Sequence, residues 1–252
     1  MKDEAAWVTA LNACTYHKIL KERQISHDEF WREYGIYDEM IRHSGYPGEI
    51  VPTILSRIEP GSTILDIGAG TGAFAIPLTE AGHHVIALDP SEYHLSILTS
   101  KGECETICSL WDEKAAREIP PVDYTLAAYS FIDEGITDFL RRAIDHGRKG
   151  SFLIYRAGER DPLLDYAGGP AEQISYRHIT GILEALGVGY KLDGFIRDFH
   201  LPFDLALKRA RNTLRTEEEI RTFLGDHQRL HMENGNLQVA FRDEDMLISV
   251  RR

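Results

Sequence analysis

The sequence predicts a doubly wound, mostly parallel α/β sheet, and three observations lead there. Short apolar strands alternate with helical stretches from residue 62 to residue 155. Those strands are apolar along nearly their whole length, as in a parallel sheet covered by helices on both faces. The stretch 62–74, Ser-Thr-Ile-Leu-Asp-Ile-Gly-Ala-Gly-Thr-Gly-Ala-Phe, runs a strand into three glycines at alternate positions and then into a helix of small residues. Right-handed crossovers make such a sheet doubly wound. Its ligands then sit beyond the carboxyl ends of the strands, where strand order reverses.

In chain order, residues 3–24 are helix-compatible, with apolar Trp7, Leu11, Cys14 and Ile19. Residues 26–43 form a firmer helix. Ser26 and Glu29 make a capping box, and Phe30, Trp31, Tyr34, Tyr37, Met40 and Ile41 recur at helical spacing and pack it onto the rest. Gly45-Tyr-Pro-Gly48 is a turn, and a helix over 49–58 ends at Pro60-Gly61. Strand 62–67 leads to helix 71–81, His84–Leu88 to helix 92–100, and a third strand at about 104–109 to a short helix at 113–118. Strand Val122–Tyr129 leads to a helix at about 133–146, and Arg148-Lys149-Gly150 turns into strand Phe152–Tyr155.

Beyond 156 the pattern changes. Residues 157–174, with Gly158, Pro162, Gly168, Gly169 and Pro170, read as a loop, followed by a helix over 175–186 and a strand at about 189–200. Helices are expected over 203–214 and, capped by Thr216 and Glu219, from 216 to about 231. Gln238–Arg242 and Met246–Val250 read as a hairpin about Asp243-Glu244-Asp245.

A net charge of −12 argues against a general binder of nucleic acid or anionic membrane, since both need cationic surface to displace counterions. The start of the chain has no apolar run of signal-peptide length, and no stretch of 18 apolar residues occurs, which predicts a cytoplasmic protein. Cys14, Cys104 and Cys108 form no CxxC pair and fit reduced thiols. His227 and His231 lack the Glu of an HExxH motif and a third ligand, so no metal site is expected.

The glycine spacing discriminates between ligands. A dinucleotide fold carries G-x-G-x-x-G, whereas here the third glycine comes one residue early and an acid, Asp66, precedes the loop. Asp66-Ile-Gly-Ala-Gly-Thr-Gly72 resembles motif I of class I S-adenosylmethionine (SAM) dependent methyltransferases. Asp89 ends the second strand 21 residues after Gly68, where a carboxylate can accept both ribose hydroxyls. The resemblance covers 62 to about 156 and implies a seven-stranded sheet, its last two strands antiparallel and drawn from 189–200 and 246–250.

The resemblance implies further roles. Main chain at Gly68, Ala69, Gly70 and Gly72 approaches the methionine and ribose of SAM, with Asp66 holding the ammonium directly or through water. Asp89 takes the ribose, Pro90 and Trp111 wall the adenine, and Asp112 accepts from its amine. Tyr129 and Ser130 face the place where sulfur and acceptor meet, while Tyr34 and Tyr37 close over SAM; Tyr129, Ser130 and Tyr37 are the candidates for a catalytic role. The fourth strand ends in Ala127-Ala-Tyr-Ser-Phe131, without the Asp/Asn-Pro-Pro-Tyr motif or the Pro-Cys nucleophile of DNA-methylating enzymes.

The expected organisation is one domain over 1–252. It has a helical cap over 1–48, a SAM-binding core over 49–156, and a C-terminal half over 157–252 with a helical insertion at about 203–235. The expected activity is methyl transfer to a small-molecule acceptor. A non-catalytic SAM-binding protein and an NAD-dependent oxidoreductase remain the alternatives.

Overall fold

The computed structural model describes residues 2–131, 133–169, 173–210 and 214–252. Five helices come first: α1 (Lys2–Ala13), α2 (Thr15–Arg23), α3 (His27–Tyr34), α4 (Tyr37–Ser44) and α5 (Ile50–Leu55). Strands and helices then alternate as β1 (Thr63–Ile67), α6 (Ala75–Glu80), β2 (His84–Asp89), α7 (Glu92–Lys101), β3 (Glu105–Cys108), α8 (Glu113–Glu118), β4 (Val122–Ala128), α9 (Ile136–His146) and β5 (Gly147–Arg156). The rest is α10 (Pro162–Gly168), α11 (Tyr176–Ala185), β6 (Tyr190–Pro202), α12 (Phe203–Arg209), α13 (Glu217–Asp226), β7 (Leu230–Glu233) and β8 (Asn236–Arg251).

The sheet runs β3-β2-β1-β4-β5-β8-β6, with β7 pairing β8 off that path. Neighbours among β1 to β5 pair in parallel, and β8 opposes both β5 and β6. The expected seven-stranded sheet is therefore this path, and β7 adds an eighth strand. Only β8 runs against the others along the path, so the expected sixth strand lies parallel to the core.

Alternation along each strand feeds two layers. On one face Leu65 and Ile67 pack with Trp7 and Leu11 of α1, Phe139 and Leu140 of α9, and Ile179 and Leu183 of α11. Ile64 on the other face joins Ile54 of α5, Leu78 of α6 and Leu98 of α7. Trp7 is fully buried and its indole N–H donates to the Asp133 carbonyl at 2.9 Å, which pins the N-terminal helices to the sheet.

A third cluster surrounds the far ends of β6 and β8. There Phe199, Leu201, Val239 and Phe241 pack on Leu163 of α10, Leu205 of α12, and Ile220 and Leu224 of α13. β6 and β8 stay paired from Tyr190↔Val250 to Pro202↔Gln238, while β5 meets only Asp245–Arg251 of β8. The two strands thus leave the core sheet as a ribbon that carries its own small core.

Several expectations are corrected. The helices expected over 3–24 and 26–43 are each broken, at Cys14 and at Gly35-Ile36; Gly35 takes the left-handed conformation (φ 54°) that ends α3. Arg148-Lys149-Gly150 lie inside β5, and part of the expected 157–174 loop is α10. The helix expected to 231 stops at Asp226, because Leu230–Glu233 pairs with β8 as β7. Pro170 and the 211–213 end of the expected 203–214 helix lie outside the described residues.

The expected hairpin about Asp243-Glu244-Asp245 is absent, since those residues are the middle of one unbroken strand, β8. What lets a strand carry them is pairing with distant cations. Asp245 is fully buried, accepts from the Arg197 guanidinium at 2.9 Å and from the Tyr129 hydroxyl, and Asp243 accepts from Arg209 at 2.9 Å. Removing one partner of a buried pair strands the other charge, at a cost of roughly 3–5 kcal/mol. Asp245→Ala is therefore expected to lose about 3 kcal/mol, near the lower limit because Asp243 Oδ2 also lies 3.7 Å from Arg197. Urea unfolding followed by circular dichroism measures it.

Candidate functional site

A cavity of about 890 Å³ opens beyond the carboxyl ends of β1, β2, β4 and β5, in the size range of small-ligand sites. Strand order reverses between β1 and β4, so this is the crevice that a doubly wound sheet offers.

The glycine loop leaves β1 and is held to β2 by hydrogen bonds. Gly68 N and Ala69 N donate to the Leu88 carbonyl at 2.7 and 3.0 Å, and Gly70 N donates to Asp89 Oδ2 at 2.8 Å. Two glycines have distinct reasons to lack a side chain. At Gly68 (φ +75°) a Cβ would stand 2.2 Å from that of Ser130. At Gly72 (φ +89°) it would press on Ile76 and Leu98 at 2.9–3.0 Å, so the loop could not lie against α7.

Asp89 is buried and organises its surroundings. Its Oδ1 accepts from Ser91 N at 2.9 Å, and His94 Nδ1 lies 3.7 Å away. Helix α7 is capped twice: Ser91 Oγ accepts from His94 N at 3.2 Å, and Asp28 of α3 accepts from Tyr93 N and Ser91 Oγ at 2.8 Å each. Those bonds set α3 over the cavity. Trp31 and Tyr37 then face His94, with ring centroids 4.9 and 5.4 Å away.

Of the residues expected at the site, Gly68, Gly70, Asp89, Pro90, Trp111, Asp112, Tyr129, Ser130 and Tyr37 line the cavity. Asp112 also caps α8, accepting from Ala115 N at 2.8 Å. Ala69, Gly72, Asp66 and Tyr34 are not in its lining. Tyr34 instead donates to the Met40 sulfur at 3.7 Å and packs toward the ribbon core, and Trp31, one turn earlier on α3, takes the position expected of it.

Asp66 lies under the loop, 1% exposed, with Oδ2 unpartnered among the described residues. Burial, reinforced by the nearby Asp89 charge, pushes its pKa up to about 7. A buried carboxyl shifted in this way beside a cleft is a candidate functional group.

Apart from Tyr129, the opposite end of the cavity carries no residue that the sequence announces. It is built by Tyr46, Tyr129 and Tyr155, by Arg156 at the end of β5, and by Arg197, Arg209 and Asp243 of the ribbon region. Tyr129 and Tyr155 stack at 5.0 Å, and Tyr46 stands 6.2 Å from Tyr129. Burial holds the Tyr37, Tyr46, Tyr129 and Tyr155 phenols above their ordinary range, so they stay protonated as donors. Tyr129 has φ 56°, a left-handed conformation rare for an aromatic residue, which turns its ring from the strand end into the cavity. The one sequence signal for this end was Tyr129 at a strand terminus; the arginines come from segments with no motif. Among the described residues no group of His, Cys, Asp and Glu is arranged to hold a metal ion.

Comparison with known proteins adds to this geometry. Residues 64–150 match a family model described as a methyltransferase domain. Similar solved structures include the YcgJ protein of Bacillus subtilis, 16% identical with a TM-score of 0.55 over 80% of this chain and 97% of that one. Magnesium protoporphyrin IX methyltransferase of Synechocystis PCC 6803, solved with bound SAM, is 14% identical with a TM-score of 0.51, covering 100% of this chain and 98% of that one. At such identities the likeness is one of fold. A Haemophilus influenzae protein described as uncharacterized is 28% identical over 103 residues, and the match spans only 38% of either chain.

The Asp66 shift has a consequence for stability. Its folded pKa of about 7 lies above the unfolded value of 3.8, so its contribution is full below about pH 4 and is lost as pH rises through 7. The advantage of wild type over Asp66→Asn is expected to shrink across that window, by at most about 1.4 kcal/mol per pH unit. Urea titrations of both proteins from pH 4.5 to 7.5 measure it, and a constant difference would count against a buried neutral Asp66.

Proposed function

We propose that this chain, which has the class I methyltransferase fold and carries a methyltransferase domain over residues 64–150, transfers a methyl group from SAM to a small-molecule acceptor. One observation carries the reading: a single cavity joins a glycine loop and strand-end acids at one end to a separate aromatic chamber at the other. A donor and an acceptor can lie in it end to end.

The residues fit the donor. Each Asp89 oxygen already accepts one N–H, from Gly70 or Ser91, and keeps a free lone pair for a ribose hydroxyl. Pro90, Leu110 and Trp111 offer apolar surface to an adenine, and Asp112 lines the same end. The unpartnered, buried Asp66 oxygen suits a cation above the loop, reached through water since Asp66 stands outside the cavity lining. Trp31 and Tyr37 cover this end from the N-terminal helices.

SAM, when bound, supplies a methyl group on a positively charged sulfur, already activated for in-line displacement. The protein's task is alignment and exclusion of water, and orientation of this kind is worth roughly 7–11 kcal/mol in favourable cases. Tyr129 is held by Asp245 through its hydroxyl and by its stack on Tyr155, which makes it a fixed wall beside the methyl path. Ser130 Oγ, buried and unpartnered among the described residues, lies against Gly68 in the cavity lining and orients whatever meets it.

Titration calorimetry with SAM and with NAD tests the reading. SAM is expected to bind and NAD to fail; the reverse would end it. Asp89→Ala is expected to weaken SAM binding at least tenfold, about 1.4 kcal/mol.

A further inference from the structure

The acceptor end of the cavity holds three guanidiniums against two carboxylates. Arg197 is neutralised by Asp245 at 2.9 Å and Arg209 by Asp243 at 2.9 Å. Arg156 lines the same space, only partly buried, and among the described residues it donates no hydrogen bond and stands in no ion pair. Asp243 and Asp245 lie near enough to influence it, yet both are committed to the other two arginines. The acids nearby keep Arg156 charged, but its guanidinium donors are unused in a largely enclosed space, which leaves them for an anionic ligand.

Its surroundings narrow the ligand. The phenol rings of Tyr46, Tyr129 and Tyr155 and the side chains of Met40, Ile41 and Ile174 give the chamber an apolar, aromatic lining. The buried Tyr46 hydroxyl, pointing into no partner among the described residues, is a second unused donor. One surplus positive charge matches a monoanion better than a phosphate monoester, which carries −1.5 to −2 near neutral pH. A planar guanidinium meets a carboxylate in parallel, bidentate hydrogen bonds.

From these observations we infer that the methyl acceptor is a small apolar or aromatic monocarboxylic acid, its carboxylate bound by Arg156 and its body held among the three tyrosines. This rests on the methyltransferase reading for the role of the ligand, while the anion site stands on its own geometry. The affinity of an Arg156 variant for S-adenosylhomocysteine separates this site from one for the donor's own carboxylate. Arg156 ends β5, three strand spacings (about 14 Å) from Asp89 on β2, on the side away from the proposed ribose site.

The test uses benzoate, 3-phenylpropionate, cinnamate and hexanoate, each paired with its methyl ester, and phenyl phosphate. Binding is measured by calorimetry to the full chain with and without S-adenosylhomocysteine. At least one acid is expected to bind tenfold or more tightly than its ester, and more tightly than phenyl phosphate. Arg156→Gln should erase that preference and leave S-adenosylhomocysteine affinity unchanged, and Arg156→Lys should restore part of it.

No acid preferred over its ester, or phenyl phosphate preferred over every acid, overturns the proposal on wild-type protein alone, even if the variants fail to fold. A loss of S-adenosylhomocysteine affinity in Arg156→Gln also overturns it, by assigning the cation to the donor. Failure of the wild type to bind S-adenosylhomocysteine sinks the methyltransferase reading instead, and the acid and ester comparison without it still decides the anion site.

Discussion

The Arg197–Asp245 pair is the joint on which the aromatic end of the cavity depends. Asp245 sits where β8 leaves β5 and continues into the ribbon, fully buried and opposite Arg156 in the strand register. Arg197 reaches it from β6, donates to the Ser44 carbonyl at 3.3 Å and lies over the Tyr46 ring at 4.8 Å. Tyr129, at the end of β4, closes the group through its hydroxyl. One ion pair therefore ties the N-terminal helices, the parallel core and the ribbon into a common wall. A buried pair of this kind contributes little net stability compared with apolar packing, but it fixes which groups meet.

The two ends of the cavity follow different physical rules. At the loop end, backbone amides and short acids lie close together because the chain itself brings them there, from β1 and the two strand ends that follow it. Asp89 takes a proton donor from the loop and another from the start of α7, so the geometry of three segments is set by one carboxylate. At the chamber end, side chains arrive from β4, β5, β6, α12 and β8, and charge balance rather than backbone geometry determines what fits. The conformation of Tyr129 joins the two, since its φ of 56° directs the ring between them.

This division decides how much could be read from residues alone. The parallel core was readable because its signals are local: apolar runs, glycine stops, and acids at strand ends. The loop end of the site was readable for the same reason, and most of its expected residues do line the cavity. Asp243-Glu244-Asp245 looked like a turn because three adjacent acids are unstable in a strand without cations. Their cations, Arg197 and Arg209, are 34 to 48 residues away and visible only in the fold. Arg148-Lys149-Gly150 misled similarly. Lys149 pairs with Glu59 and Asp123, and a Cβ on Gly150 would lie 2.4 Å from the Val250 carbonyl oxygen, a contact no local pattern announces. Tyr34 and Trp31 are both aromatic and one turn apart on one helix, so spacing could not choose between them; the hydrogen bonds of Asp28 to the start of α7 do.

The position of β8 also bears on the order in which the molecule can assemble. It follows β6 and β7 in the chain yet lies between β5 and β6 in space, pairing with all three. Until it inserts, β6 and β7 have no place in the sheet, and the edge of β5 is left with open backbone donors and acceptors. The parallel half can form from contacts between neighbouring units, whereas the antiparallel half must wait for one segment that pairs β5, β6 and β7 together. Long-range pairings of that sort are slow to form. During synthesis, the half of the cavity built on the glycine loop therefore takes shape before the aromatic half lined by Arg156, Arg197 and Arg209.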